Sequence, residues 1–590
     1  MTNINVAVLL LATVLLLQSG AETLYRKPSR AELKKFFEGF VSKHSGFKDF
    51  VFGLPDNDVP HLTRYGPQDW GASVNCDVCK YAVEGMLLVI SLGGTEEDLV
   101  RFVTKLCVDL KIEDPRDELF GVLTGRLLTP DEVCGFVIGD SCAQPYNPEL
   151  MWNVTMTSTP KPPVIPPTPP PPSSPKLRFL HLTDMHIDRM YDAGSDAECG
   201  EPLCCRSNDG KPGPGKAGAG KWGDYRHCDL SPDLVENLFQ HLATKKDQFD
   251  FIIFTGDIPA HDVWNQTRDA QMKAVTDFSD MFDKYLPKIP VYHCVGNHDS
   301  APVNSFPPPF IADHNSQAWM NAALAASWMK WLPAQANETI MRGAFYTTLL
   351  RKGFRIVSIN MNYCNTGNWW LLINSTDPAG QLQWLINVLQ DAENNHEKVY
   401  ILAHIPPGGK HCMKAWSWNY YKIVNRYEST IVAQFYGHSH NDFYFVFYDE
   451  VNFTRPTSVG YVPGSVTTFS NLNPGYRIYT SEGVYPGSNY VPIDFENYIV
   501  DLPKANNAST PPQWQFEYSA KVAYRLKSLY PSDWNDLIYR MKGNDTLFNR
   551  FHRYNSKSAD DSPCTGSCKR NALCRLKTAR SFDSNLCKDL

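Results

Sequence analysis

The sequence predicts a multidomain protein: an all-α unit, then an α/β unit, then a small helical, disulfide-bonded C-terminal region. Three observations predict it. Five cysteines, Cys76, Cys79, Cys107, Cys134 and Cys142, alternate with amphipathic patterns such as YAVEGMLLVISL and EEDLVRFVTKLCVDL, whose apolar residues recur at helical spacings of three and four. Residues 157–176, TSTPKPPVIPPTPPPPSSPK, hold ten of the 43 prolines and can build no core, so they read as an extended polyproline spacer. Beyond the spacer, short β-rich runs alternate with helical ones, the pattern of an α/β fold.

A length of 590 residues allows roughly two to four such domains. The net charge is −7 and no Lys/Arg-rich run occurs, so nucleic acid is not an expected partner. Residues 6–17 (VAVLLLATVLLL) are apolar and are followed by Ser19, Gly20 and Ala21. This predicts a signal peptide over 1–21, although its first residues carry no Lys or Arg. The stretch is shorter than the ~20 apolar residues of a membrane span, and no later one is longer, so no transmembrane segment is expected. Asn-X-Ser/Thr sequons begin at Asn153, Asn265, Asn337, Asn374, Asn452, Asn507 and Asn544 and are candidate glycosylation sites. Together these features predict passage through the secretory pathway to a lysosomal or extracellular location. The 16 cysteines then read mostly as disulfides.

In the α/β unit the strand candidates are LRFLHLT, FDFIIFT, IPVYHCV, FRIVSIN and KVYILAH. Between them lie the helical stretches LVENLFQHLATK, MKAVTDFSDMFDKYL and GQLQWLINVLQDAENN. DFYFVFYDE, GYVPGSVTTF and NYIVDL read as further strands. From about residue 518 the pattern turns helical and ends in Cys564, Cys568, Cys574 and Cys587. Trp369, Trp370, Trp416, Trp418, Tyr420 and Tyr421 fall in segments that read as loops, and core packing is the expectation for most of them.

Five segments carry metal-type side chains directly after a predicted strand: Asp184 and His186, Asp257, Asn297 with His298 and Asp299, His404, and His438 with His440. Sites in open α/β sheets assemble at the carboxyl ends of strands, so five such ends can converge. Carboxylates and imidazoles suit zinc, manganese or iron, and one carboxylate can bridge two ions. A lone Gly-Asp or Gly-Asn-His-Asp is more often a turn; the signal is the ordered set.

That order, D-x-H … GD … GNHD … H … GHxH, resembles the calcineurin-like metallophosphoesterase family. The resemblance implies a mixed β-sandwich flanked by helices over 177–515. It implies one metal held by Asp184, His186 and His440 with Asp257 bridging, and a second held by Asp257, Asn297, His404 and His438, or two Zn2+ per chain. The longer motifs TGDIPAHDVW, LLINSTDPAGQLQWL, HCMKAWSWNYY and LNPGYR resemble the acid sphingomyelinases. The N-terminal helical unit is similar to a saposin B-type domain, over 72–146. Carried over, the saposin pattern gives Cys76–Cys142 and Cys79–Cys134; the position expected to pair with Cys107 holds no cysteine, which leaves a buried thiol. The catalytic and C-terminal pairings implied are Cys199–Cys204, Cys205–Cys228, Cys364–Cys412, Cys564–Cys568 and Cys574–Cys587. Cys294 is left over in a core strand, and 516–590 form a helical C-terminal domain.

The resemblance implies hydrolysis of sphingomyelin to ceramide and phosphocholine at acidic pH, by a peripheral monomer whose saposin unit presents the membrane lipid. The ceramide alkoxide is a strong base and needs a general acid. His298 and His261 are the candidates, with Asp299 either orienting His298 or capping a helix. The alternative is a secreted metallophosphoesterase acting on nucleotides or other soluble phosphodiesters, and a third reading is a non-catalytic lipid-transfer protein.

Overall fold

The computed structural model describes residues 151–165, 167–469 and 471–590, together with Thr129, Glu132, Val133 and Gly135. The expected signal peptide, nearly all of the saposin-like unit at 72–146, its two disulfides and Cys107 lie outside the described residues. At Thr129 a helix start is visible: the Thr129 backbone N–H donates to Glu132 at 2.8 Å and the Glu132 N–H returns a bond to the Thr129 hydroxyl at 3.2 Å, a capping box. The larger of two compact units comprises residues 152–262, 266–365 and 376–590.

This unit is built on twelve strands: β1 (Lys176–Leu182), β2 (Phe251–Phe254), β3 (Val291–His293), β4 (Tyr346–Arg351), β5 (Phe354–Ser358), β6 (Lys398–Leu402), β7 (Ile431–Phe435), β8 (Phe443–Tyr448), β9 (Pro456–Val462), β10 (Gly475–Glu482), β11 (Pro492–Ile499) and β12 (Gln515–Ser519). They form two six-stranded sheets, in the orders β12-β11-β10-β1-β2-β3 and β4-β5-β6-β7-β9-β8. β1, β2 and β3 run parallel in the first sheet, and β5, β6, β7 and β9 in the second; antiparallel strands complete both. The parallel strands are buried on both faces, which is why FIIF and KVYIL carry no polar alternation. The ring of Phe179 on β1 lies 5.7 Å from Tyr400 and 5.5 Å from Phe435, so the sheets pack face to face around an aromatic core.

Helices cover the sheets. α1 (Pro232–Ala243) starts where the Ser231 hydroxyl accepts from Leu234 N–H and Pro232 takes the first position. α2 (Arg268–Tyr285) is capped in the same way by Thr267. α3 (Ala318–Trp328), α4 (Ala336–Gly343), α5 (Gln381–Asn394) and α6 (Lys414–Arg426) follow. The motif HCMKAWSWNYY, read as a loop, is mostly α6: Lys414, Trp418, Lys422 and Arg426 recur every four residues along its one less buried stripe, and Trp416, Tyr420 and Tyr421 are buried. The run GYVPGSVTTF is strand only to Val462, because Pro463 and Gly464 end β9. Residues 463–469 instead form a loop that reaches the site described below.

Two sequence boundaries shift. The 515/516 division between catalytic and C-terminal regions falls inside β12, which pairs with β11. α7 (Leu502–Asn507) precedes β12, and the helices after β12 are α8 (Ala520–Tyr524), α9 (Pro531–Gly543), α10 (Asp545–Asn555) and α11 (Ser567–Lys577); they share the core, with Trp534 of α9 stacked on Phe495. The start of the proline-rich spacer is pinned as well: Thr157 Oγ1 donates to Gln390 at 2.8 Å, Arg426 donates to the Thr159 carbonyl at 3.0 Å, and Lys161 pairs with Glu428.

Five disulfides are present in this unit: Cys199–Cys204, Cys205–Cys228, Cys364–Cys412, Cys564–Cys568 and Cys574–Cys587. Cys294 is a buried thiol. All seven sequon asparagines are exposed. Among the described residues no helix is long and apolar enough to cross a membrane.

Candidate metal centre

The five strand ends converge. Asp184 and His186 follow β1, Asp257 follows β2, Asn297 and His298 follow β3, His404 follows β6, and His438 and His440 follow β7. Five of these residues, Asp184, His186, Asp257, His438 and His440, have positive φ between 43° and 71°, a left-handed conformation costly for side chains other than glycine. That strain turns successive side chains inward from very short loops. The glycines of the motifs leave room for the turns: a Cβ on Gly296 would come within 2.1 Å of Asp257 Oδ1, and one on Gly437 within 2.1 Å of Thr183 Oγ1.

The donor atoms fall into two sets that share one oxygen. In the first, His186 Nε2 lies 3.2 Å from His440 Nε2, 4.0 Å from Asp184 Oδ1 and 3.5 Å from Asp257 Oδ2. In the second, His404 Nε2 lies 3.0 Å from the same Asp257 Oδ2 and 3.1 Å from Asn297 Oδ1, which is 2.8 Å from His438 Nδ1. The Asn297 amide donates to Asn304 Oδ1 at 3.0 Å, which turns its carbonyl oxygen toward the two imidazoles. The outer nitrogens are anchored: His186 Nδ1 on the Pro259 carbonyl at 2.8 Å and His404 Nδ1 on the Thr255 carbonyl at 2.5 Å. Each set is the oxygen and imidazole chemistry of a divalent transition metal, and the anchoring matches what such ligands need.

Electrostatics follow the crowding. Burial raises the Asp184 carboxyl to about 7 against the pull of His404. Burial also opposes ionisation of Asp257, yet His404 and His298 beside it hold its carboxyl below the usual range. His404, despite its burial, is raised to about 9 by Asp257. His298 is lowered to about 3, chiefly by burial, with Asp257 pulling the other way.

His261 and His298 both face the first set: His186, His261 and His298 each offer a ring nitrogen, and these lie within 4.8 Å of one another. His261 is sandwiched between the rings of His186 and Phe469, at centroid distances of 3.9 and 4.0 Å. Its Nδ1 lies 2.8 Å from Asp229 Oδ1, and its backbone N–H donates to Asp229 Oδ2 at 2.6 Å. Asp229, Phe469 and Thr467, whose hydroxyl donates to Asp229 at 3.1 Å, escaped the sequence reading because no short motif surrounds them. Asp299 takes neither role foreseen for it. Its carboxylate accepts from the N–H groups of Ile258 at 2.9 Å and Gly296 at 2.7 Å, tying the second and third metal loops together. His298 Nδ1 has no hydrogen-bond partner among the described residues.

Residues 177–442 match the calcineurin-like phosphoesterase family, and residues 455–587 match the acid sphingomyelin phosphodiesterase C-terminal region. A sphingomyelin phosphodiesterase of Homo sapiens is 44% identical over 536 residues, covering 88% of this chain and 84% of that protein. Sphingomyelin phosphodiesterase 2 of Caenorhabditis elegans is 33% identical over 550 residues, with 88% of each chain covered. An acid sphingomyelinase-like phosphodiesterase 3b of Mus musculus is 30% identical over 421 residues, covering 68% of this chain and 87% of the other.

Proposed function

The chain belongs to the sphingomyelin phosphodiesterase family, and from that premise we propose that it hydrolyses membrane sphingomyelin to ceramide and phosphocholine. The observation that carries the reading is the pair of donor sets sharing Asp257 Oδ2, with His261 and His298 facing them. The family implies a divalent metal. In this reading Asp184, His186, His440 and Asp257 would hold one zinc ion, and Asp257, Asn297, His404 and His438 would hold the other. When bound, such ions lower the pKa of a water and offset the charge of the phosphoryl oxygens.

The chain's own residues do the rest. Asp229 accepts a hydrogen bond from Nδ1–H of His261 and so leaves Nε2 to carry the proton for the departing ceramide oxygen, an acid role typically worth about 10²–10⁴-fold. His298, which burial holds low, faces the same donor set, and in this reading its task is to donate N–H to a phosphoryl oxygen. Because a histidine has to bring the proton, the optimum lies on the acidic side. The five disulfides fit an oxidising secretory, lysosomal or extracellular setting. The segment over 72–146 is assigned to presenting bilayer lipid, through amphipathic helices that lay apolar faces on the membrane, with the enzyme acting as a peripheral monomer.

The test is to incubate the purified chain with zinc at about pH 5, with sphingomyelin vesicles and separately with a nucleotide diester. Faster release of phosphocholine supports the proposal, and faster cleavage of the nucleotide diester supports a soluble phosphodiesterase instead. Deleting 72–146 should damage vesicle hydrolysis more than cleavage of a soluble diester; equal losses would reduce that segment to a structural part.

A further inference from the structure

The outer nitrogens of His186 and His404 rest on backbone carbonyls, but His438 is anchored differently. Its Nδ1 points at the Asn297 oxygen, 2.8 Å away, and its backbone N–H donates to Asp184 at 2.9 Å. Its Nε2 therefore faces out of the donor set, and there it meets a side chain: Nδ1 of His411, 2.6 Å away, with the two rings nearly perpendicular at 78°. A nitrogen whose lone pair is committed to a metal leaves the ring proton on the other one, so Nε2–H of His438 donates and His411 accepts.

His411 sits on a built support. The next residue, Cys412, is bridged to Cys364, and the Met413 N–H donates to the Cys364 carbonyl at 2.7 Å. On the other side the Ser581 hydroxyl donates to the carbonyls of Pro407 and Gly409, both at 2.8 Å. The contact is close enough that a Cβ on Gly408 would come within 1.8 Å of the Thr578 carbonyl oxygen. A disulfide and the C-terminal segment thus hold the loop 405–413 from two sides, with His411 at its tip against a metal ligand.

We propose that His411 is a positioning residue for the second metal set: it fixes the ring orientation of His438, and the Cys364–Cys412 bridge exists in part to hold it there. The inference rests on the metal-site reading above and adds a member that the metallophosphoesterase motifs do not contain. Outer partners of this kind typically change metal affinity by about 10–100-fold. A loop held only for stability would not discriminate between replacements that keep or lose an acceptor at the Nδ1 position.

The test measures zinc affinity by chelator competition on the full chain, alongside melting temperature. His411→Leu removes the acceptor, His411→Ala removes the ring, and His411→Asn keeps an oxygen where Nδ1 stood. The expected result is an about 10–100-fold weaker affinity at one of two zinc sites for H411L and H411A, with H411N recovering most of the loss at an unchanged melting temperature. Affinity within about twofold of wild type in whichever of H411L or H411A folds, or H411N as weak as both, overturns the proposal. A wild-type chain that binds no zinc would instead sink the metal-site reading, which separates the two failures.

Discussion

The ammonium of Lys557, from the region after α10, lies 2.7 Å from the carbonyl oxygen of Ser465 and 2.8 Å from its hydroxyl, and it also donates to the Thr467 carbonyl at 3.3 Å. Its stem passes beside Gly464, where a Cβ would come within 2.3 Å of Lys557 Cδ. The loop it grips supports the whole centre. Ser465 N–H donates to the His440 carbonyl, Val466 N–H to that of Thr183 and Thr467 N–H to that of Asp184, at 3.0–3.1 Å. Lys557→Met keeps the stem but strands buried acceptors, at a cost of about 1–3 kcal/mol. It should lower the melting temperature and reduce kcat more than it raises KM, as steady-state assays alongside calorimetry would show. An unchanged kcat at lowered stability would mean that the loop keeps its shape without the lysine.

Asp229 is fully buried and holds His261 through Nδ1, 2.8 Å from its Oδ1. Asp229→Asn should cut kcat by roughly 10²-fold while leaving KM and metal content near wild type, because the imidazole loses the carboxylate that fixes its tautomer. Direct removal, His261→Ala, should cost at least as much. Assays on a soluble chromogenic phosphodiester keep membrane binding out of the comparison, and a D229N enzyme of normal turnover would separate Asp229 from the reaction.

Asp257 is the one carboxylate common to both donor sets. Asp257→Asn should reduce bound metal more than Asp184→Asn does, and activity with it, as elemental analysis after dialysis would reveal. Exhaustive chelation of the wild type should abolish activity and lower the melting temperature, since a ligand bound only by the native state stabilises it. Equal metal loss in the two variants would argue against a bridging role.

Glu517 gives a pH signature in stability. Burial raises its carboxyl to about 8, against a hydrogen bond from Ser558. The native state therefore holds a proton that the unfolded chain releases above its ordinary carboxyl pKa of about 4.3. Stability from this group is full below that value and is lost as pH rises toward 8. Between pH 5 and 8 the wild type should lose on the order of 2–4 °C more in melting temperature than Glu517→Gln. Parallel melting curves for the two proteins would show that the group ionises as freely in the fold as in solution.

The set of candidate donors was legible in the chain because each member follows an apolar strand, and parallel strands bring their carboxyl ends to one edge. Asp184, Asp257, Asn297, His404 and His438 needed only that rule and their order. The α/β alternation was legible for the same reason, since buried parallel strands leave unbroken apolar runs such as FIIF. The start of α6 was missed because aromatic residues at 416, 418, 420 and 421 fit a loop as readily as a helix until a core covers one face.

What the sequence by itself determined was therefore the parts that short-range periodicity and motif order encode: the strand ends and the candidate ligands. Only the tertiary structure decided the partners of those ligands. Asp229 reaches His261 across 32 residues, His411 reaches His438 across 27, and Lys557 reaches Ser465 across 92. Such contacts arise where separate loops are pressed together by a shared core. A side chain's neighbours there depend on how the sheets pack, a long-range outcome that no local pattern records.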